Sequence, residues 1–316
     1  MKESVNKMTA LMKYLPLLLL VVVSLFFGIL YPRFFSIQNV LNLIRQMSFL
    51  MIVSMGMTFI ILMGSIDASV GANATFCGVI GALLAPYLGG GAIIIGLLAG
   101  AGVGAVNGII VTKVKVPSFL VTLALMGALD GAALLLMHSS PVNISNQTFL
   151  DFSNGSLLFS FPNVDLIPIV IIVICYYIIT KTAFGRSLYA IGGNEQATFY
   201  SGIKVRHIQV IAFMISGVMS GLAGCLQASM FEAACPYMGN SFLMNSIAAV
   251  VIGGTQLSGG VGGPLRTVFG VVLIAIIGSG MNFMGLEPAT RQIVTGAIMI
   301  LAVSVNIDRS KMAYVK

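Results

Sequence analysis

The chain has 316 residues, of which 58% are hydrophobic and 8% are charged, whereas soluble domains carry roughly 25% charged residues. This composition cannot cover the surface of a soluble domain, so a cytosolic enzyme, a secreted disulfide scaffold and a disordered tail are excluded. The net charge of +7 comes from Lys and Arg residues that stand singly between apolar runs, which argues against nucleic-acid binding because that requires basic residues clustered on one face.

The first apolar run predicts a membrane span that is not cleaved, because Phe26, Phe27 and Arg33 follow it in place of a small-residue cleavage site. The fold class is therefore an all-α, polytopic membrane protein with one transmembrane domain over residues 1–316. Counting about 20 apolar residues per crossing, we expect ten helices, near residues 15–31, 43–63, 68–88, 91–112, 118–137, 164–181, 207–229, 241–257, 264–283 and 291–307.

Basic residues set the expected orientation, because Lys and Arg are enriched in short cytoplasmic loops. With both termini in the cytoplasm, only Arg33, Arg45 and Arg291 of the 16 basic residues fall on the outer side. Residues 138–163, which hold no Lys or Arg, then form the longest extracytoplasmic loop. Residues 182–206 fall in a cytoplasmic loop.

The second and third spans are joined by the sequence GSIDASVGANATF, residues 64–76. Asp67 has the sequence context of an N-cap that opens the third span. A broken, glycine-flanked segment between two spans is also how transporters expose backbone dipoles to a substrate path. Asp67, Asn73 and Phe76, together with Thr122 and Met126 on the fifth span, are therefore candidates to line such a path.

The fourth and fifth spans contain two further features. Glycines recur every four residues on one face of the fourth span, which predicts close packing against another helix; they are Gly96, Gly100, Gly104 and Gly108. Asp130 lies inside an apolar segment of the fifth span, where a charged residue costs about 2.5 to 3.5 kcal/mol on insertion scales. Asp130 is consistent with two alternatives. It has a functional or pairing role, or it lies near a water-filled path or the outer interface.

The interval between Lys181 and Val205 is too long for a turn and too polar to span a membrane. Asn194 can cap a short helix, Glu195 suits its N-terminal end, and Gly202 can end it with a positive φ. Residues 195–201 would form a helix of about 10 Å. Its shape is that of a docking element, with an ordinary interfacial helix as the alternative.

Enzyme chemistry has little support in this chain. His138 and His207 are the only histidines, and neither an HExxH pair nor a GxSxG turn is present. Residues 247–270 include a glycine-rich loop that permits positive φ, but no GxxxxGK[ST] motif binds a nucleotide phosphate. No metal site or disulfide is expected, and no cofactor in this chain. If ATP drives transport, the ATPase is another polypeptide.

Four ordered motifs resemble the ribose-type membrane permeases of sugar ABC importers: GSIDASVG, GAVNGIIVTKVKVPSFLVTLALM, AIGGNEQATFYSGIKV and AAVVIGGTQLSGG. The resemblance implies a type II-like importer permease in a bacterial inner membrane. It also implies three partners: a second permease chain, an extracytoplasmic sugar-binding protein, and a cytoplasmic ATPase that binds ATP and Mg. By analogy, the residues that contact the ATPase are Gly193, Asn194, Glu195, Ala197, Ser201 and Gly202.

The sequence therefore favours a non-enzymatic permease subunit for a monosaccharide or polyol, driven by alternating access. The rival cargo is a nucleoside. The rivals from other classes are a proton-coupled carrier that uses Asp130 and, third, a membrane-embedded enzyme. Departures from the family pattern, among them Asp130 and Asn245, leave both a homodimer and a heterodimer open.

Overall fold

The computed structural model describes residues 18–156 and 161–306, with side chains described as far as residue 301. The lysines of the N-terminal segment and both chain termini lie outside these ranges. Within them the α-helices are α1 (Leu18–Leu30), α2 (Ile37–Leu62), α3 (Val70–Leu88), α4 (Ala92–Val114), α5 (Ser118–Leu136), α6 (Gln147–Asn154), α7 (Asn163–Lys181), α8 (Ala183–Gly193), α9 (Glu195–Tyr200), α10 (Val205–Met230), α11 (Asn240–Ile252), α12 (Pro264–Phe283) and α13 (Pro288–Asn306).

The predicted all-α, multi-pass architecture is confirmed. Each predicted span coincides with a helix, namely α1 to α5, α7 and α10 to α13. Among the described residues, six segments are long and apolar enough to cross a membrane, with Val70–Val114 counted as one. The count of ten is therefore approximate. In particular, α11 has 13 residues and a length of about 20 Å, which is less than the hydrocarbon thickness of about 30 Å.

Two 26-residue helices, α2 and α10, form the centre of the bundle and pack against each other. The predicted glycine face of α4 lies directly on α10. A Cβ atom added at Gly100, Gly104 or Gly108 would come closer than 3.0 Å to a backbone atom of α10. Only glycine permits this distance between two helices, so the packing prediction for α4 is confirmed.

Helices α2 to α5 and helices α10 to α13 make equivalent packing contacts, and the two sets run in opposite directions. Helix α10 packs against α3 and α4, and α2 packs in turn against α11 and α12. Helix α5 contacts α3, as α13 contacts α11. Leu62, at the end of α2, lies beside the end of α8, and only four residues separate α9 from the start of α10. Helices α2 and α10 are therefore antiparallel, and the two sets form an inverted repeat.

The predicted loop over residues 138–163 contains regular structure. Strand β1 (Val142–Asn143) pairs antiparallel with β2 (Ala233–Ala234), and Asn146 caps α6 by accepting hydrogen bonds from two backbone amides with its side chain. Ser153 and Ser229 are joined through their hydroxyls at 2.8 Å. This segment covers the C-terminal end of α10, which we call the β-end of the bundle.

The opposite end of the bundle holds α8 and α9, and we call it the α9-end. The sequence predicts only one helix in this interval, over residues 195–201, and α9 confirms it within one residue. The prediction missed α8, whose side chains of Leu188 and Ile191 are buried in the main core. Their burial stabilises a segment that is too polar on its other faces to be recognised from composition.

Candidate functional site

Three of the quoted motifs meet at the α9-end. The turn after α2, the Gly192-Gly193 end of α8 and the loop between α11 and α12 touch through their backbones. Gly260 N donates a hydrogen bond to Leu62 O at 2.9 Å. A Cβ atom on Gly192 would approach both of those atoms, and would lie 2.9 Å from the carbonyl carbon of Gly259. We call this contact the glycine junction.

Backbone conformation explains why glycine is needed at the glycine junction. Gly64, Gly259 and Gly260 have φ values of 77°, 83° and 75°, which L-amino acids with a side chain rarely adopt. Gly64 and Gly259 are also too close for a side chain, because a Cβ on Gly259 would lie 2.7 Å from Gly64 N. The expectation of positive φ in the loop after α11 is confirmed.

The loop of the glycine junction is held by three side chains. Tyr189 on α8 donates from its hydroxyl to Gly262 O at 3.0 Å, Arg266 donates from Nη1 to Gly254 O at 3.0 Å, and the Thr255 hydroxyl accepts from Gly263 N at 3.2 Å. Burial raises the pKa of the Tyr189 phenol, against a smaller opposing effect of the Arg266 charge. The hydroxyl therefore stays protonated and able to donate. Nothing in the sequence pattern singled out Tyr189.

Helix α9 follows the glycine junction without a spacer. Asn194 Oδ1 accepts from Ala197 N at 2.9 Å, so Asn194 caps α9 as predicted, and Glu195 lies in the first turn. Gly202 follows with a φ of 81°, as predicted for the helix end. Thr198 points into the protein, whereas Tyr200 is 84% exposed. The helix is thus attached to the protein through Thr198, and its other side chains are exposed.

A groove of about 700 Å³ separates α9 from the connection between α4 and α5. Its walls include Gly64, Ser65 and Ser118, and its charged residues are Lys115, Glu195 and Arg206. The groove therefore leads from α9 to the segment between α2 and α3. That segment is held in turn by α5, because Ser118 Oγ accepts from Ile66 N at 3.1 Å.

Asp67 lies at the centre of a buried polar network. Asp67 Oδ1 accepts from Ser69 N at 3.0 Å and from Ser69 Oγ at 2.6 Å, and Oδ2 accepts from Ser216 Oγ at 2.9 Å. Asn107 Nδ2 donates to Ser69 Oγ at 2.8 Å. The network ties the segment before α3 to α4 and α10. Ser69, and not Asp67, is the N-cap residue of α3, which corrects the prediction from the sequence.

The other residues predicted to line a path occupy different environments. Thr122 is fully buried, and its hydroxyl accepts from Ala68 N at 2.9 Å. Asn73 is buried and donates from Nδ2 to Gly217 O at 3.3 Å. Phe76, Met126 and Asp130 are half-buried. The structure thus brings Asp67, Asn73 and Thr122 together around the start of α3, with the last three residues farther along α3 and α5.

Within the described residues, Asp130 Oδ1 is buried and has no hydrogen-bond partner. The flanking Gly127 and Gly131 leave open space, since a Cβ added at either would meet nothing within 4 Å. This part of α5 is therefore a small-residue surface with one carboxyl group beside it.

A family model described as the permease component of a branched-chain amino acid transport system matches residues 39–303, which is most of the chain. The chain belongs to this permease family. The resemblance predicted from the four motifs is thereby confirmed.

The permease is similar to ribose import permease proteins from two bacteria. It is 38% identical to that of Bacillus subtilis over 94% of this chain and 93% of the relative. It is 34% identical to that of Escherichia coli K12 over 94% of each. The D-allose transport system permease protein of Escherichia coli K12 is 32% identical over 93% of this chain and 91% of the relative. No solved structure gives a significant match to the permease.

Proposed function

We propose that this permease is the membrane subunit of an ATP-driven importer of a monosaccharide or polyol. The observation that carries the proposal is the glycine junction, because it connects a short, exposed helix to both interrupted parts of the transmembrane bundle. The named relatives support sugar as the cargo class. The description of the family model refers to amino acids, whereas these relatives, which match over more than nine-tenths of their length, are named for ribose and D-allose.

The proposed orientation places the α9-end in the cytoplasm. The exposed side of α9 is then free to contact a separate ATPase, which binds ATP and Mg. The proposed contact residues are Gly193, Asn194, Glu195, Ala197, Ser201 and Gly202. The β-end faces a sugar-loaded binding protein, and a second permease chain completes the translocation path. The path residues proposed on this chain are Asp67, Asn73, Phe76, Thr122, Met126 and Asp130.

The structure suggests how force passes from the ATPase to the bundle. A displacement of α9 reaches the turn after α2 and the loop after α11 together, because both touch Gly192. Helix α3 follows the turn after α2, and helix α11 precedes the other loop. Closure of the ATPase pair would therefore move both halves of the inverted repeat, which is how alternating access operates in related architectures.

The test is reconstitution of the permease with its partner ATPase and binding protein. Uptake into proteoliposomes should require ATP and the binding protein. The cargo panel is D-ribose, D-allose, L-arabinose, a nucleoside and leucine. Uptake of leucine or of the nucleoside alone would refute the sugar assignment. Uptake that is driven by a pH gradient without the ATPase would instead support a carrier that uses Asp130.

A further inference from the structure

A second cavity, of about 620 Å³, opens between α11, α12 and α13. We call it the α11–α13 cleft. It is separate from the groove beside α9, with which it shares no lining residue. Its volume lies within the range of about 300–1,000 Å³ that is typical of small-molecule sites. Its polar lining residues on α11 and α13 are Asn240, Ser241, Asn245, Arg291, Gln292 and Thr295.

Contacts of α11 place its N-terminus inside the bundle. Gly239 N donates to the Thr75 hydroxyl at 3.0 Å. Two residues earlier on α3, Asn73 contacts Gly217, which is the middle residue of the 26-residue α10. Helix α11 therefore starts near the middle of the bundle. The amides of its first two turns lie at a depth where a membrane protein is surrounded by hydrocarbon.

The polar groups of the cleft have unused hydrogen-bonding capacity. In the described part of the chain, the half-buried Asn245 and the exposed Asn240, Ser241 and Gln292 make no side-chain hydrogen bond, and Arg291 Nε is buried without a partner. The remaining contact of the guanidinium is between Nη1 and Asn282 Oδ1. The polar side chains of α11 at this depth cost several kcal/mol when they face hydrocarbon. The polar side chains of α11 therefore need water, a polar solute or the polar surface of a partner chain, and the experiments below distinguish these three.

We propose that the α11–α13 cleft is a solute-binding wall of the translocation path and takes a neutral, polyhydroxylated molecule. This inference rests on the proposed function. An amide both donates and accepts, so each can bind the oxygen of one hydroxyl and the proton of the next, and a guanidinium donates to hydroxyl oxygens. The lining also includes the apolar side chains of Met244, Ile274 and Met299, which suit the C–H face of a sugar ring.

Thiol labelling tests whether the cleft is aqueous. The reconstituted complex carries Cys235→Ser, because Cys235 is exposed and the other three cysteines are buried. Asn245→Cys and Gln292→Cys are compared with Ile293→Cys, which neighbours Gln292, is 73% exposed and does not line the cleft. A charged methanethiosulfonate reagent should modify positions 245 and 292 at least tenfold faster than position 293. Equal labelling rates at the three positions would refute the proposal, since they indicate that all three face lipid or that all three face water.

Solute protection is the second arm. The sugar of the panel that the unmodified complex transports should slow labelling at position 245 at least twofold, when it is added at millimolar concentration, and a sugar that is not transported should leave the rate unchanged. Labelling without protection would mean a wet cleft that binds no cargo. Cross-linking of position 245 to the second permease chain, with no labelling by the reagent, would mean a subunit interface. Either result overturns the proposal.

Transport by variants separates this inference from the proposed function. Asn245→Leu should lower kcat/KM for uptake about three- to tenfold, the loss expected for one or two neutral hydrogen bonds. ATP hydrolysis stimulated by the sugar-loaded binding protein should remain within twofold, and Asn245→Gln should recover most of the uptake. The matched control is Gln38→Leu, an exposed amide on α2 outside the cleft, which should transport normally. Equal losses in Asn245→Leu and Gln38→Leu would refute the cleft, whereas an unmodified complex that does not transport sugar with ATP would refute the proposed function.

Discussion

Gly192 offers the sharpest test of the glycine junction, because its neighbour Gly193 is a built-in control. A Cβ atom on Gly192 would come closer than 3.0 Å to Leu62 O, Gly260 N and the carbonyl carbon of Gly259. All three are backbone atoms, so no side-chain rotation relieves the overlap. A Cβ atom on Gly193 would meet nothing within 4 Å. The two alanine variants therefore differ in whether the added methyl group enters the glycine junction, and Gly193→Ala is the control for unfolding only, because Gly193 is itself a proposed ATPase contact.

The expected cost follows from these contacts. The methyl group of Gly192→Ala separates the donor and the acceptor of the Gly260 to Leu62 hydrogen bond, whose loss costs about 1 kcal/mol. Insertion of a methyl group into a packed site costs about 1–3 kcal/mol more. We expect a destabilisation of about 2–4 kcal/mol from these two effects. Gly193→Ala should be neutral or stabilising by up to about 1 kcal/mol, since alanine favours the helix.

The assay uses the cysteines of the chain as reporters of unfolding. The sequence has no tryptophan, but Cys77, Cys175 and Cys225 are buried and free. With Cys235 replaced by Ser, a thiol-reactive dye should report a lower unfolding temperature for Gly192→Ala than for Gly193→Ala. Sugar-stimulated ATP hydrolysis and uptake should also become uncoupled in Gly192→Ala. Identical unfolding curves for the two variants would refute the close backbone contact from which the coupling route is argued.

Three further outcomes are expected. Gly202→Val places a β-branched residue at a φ of 81°, at a cost of about 1 kcal/mol or more. Uptake should therefore fall while membrane insertion is retained. Normal sugar-stimulated ATP hydrolysis and normal uptake would contradict the docking role of α9. Asp130→Asn should lower uptake modestly with normal assembly, because the amide keeps the size and polarity of the carboxyl group. Abolished uptake together with loss of a proton dependence would contradict the ATP-driven mechanism. In intact cells, an impermeant thiol reagent should label Asn154→Cys, and it should label Gln196→Cys only after the inner face is opened. Both positions are exposed, and the reverse pattern would invert the proposed orientation.

Local signals in the sequence predicted the parts of the structure that depend on local chemistry. Apolar runs of about 20 residues define membrane helices because hydrocarbon thickness sets their length. The cap at Asn194 and the positive φ at Gly202 follow from the residue types themselves. The glycine face of α4 was predicted because small residues four apart share one side of a helix. None of these predictions requires knowledge of a distant partner.

The candidate site depends on contacts that the sequence does not show. Asp67 and Ser216 are 149 residues apart, and this bond places Asp67 in a buried network in place of the local cap that the sequence predicted. Helix α8 was missed because its stability comes from burial of Leu188 and Ile191 against other helices. The α11–α13 cleft was missed because its side-chain amides lie on two different helices. In the sequence, each of these residues alone gives no sign of a shared cleft.

The length of α11 also constrains how the protein is made. Insertion into the membrane selects segments of about 20 apolar residues, and the 13 residues of α11 fall short of this. Its last seven residues, Ser246 to Ile252, are all buried, and α11 packs against both α2 and α12. Helix α11 therefore has to enter an already assembled first half and be closed in by α12. We expect a nascent chain that stops before α12 to leave α11 accessible to proteases.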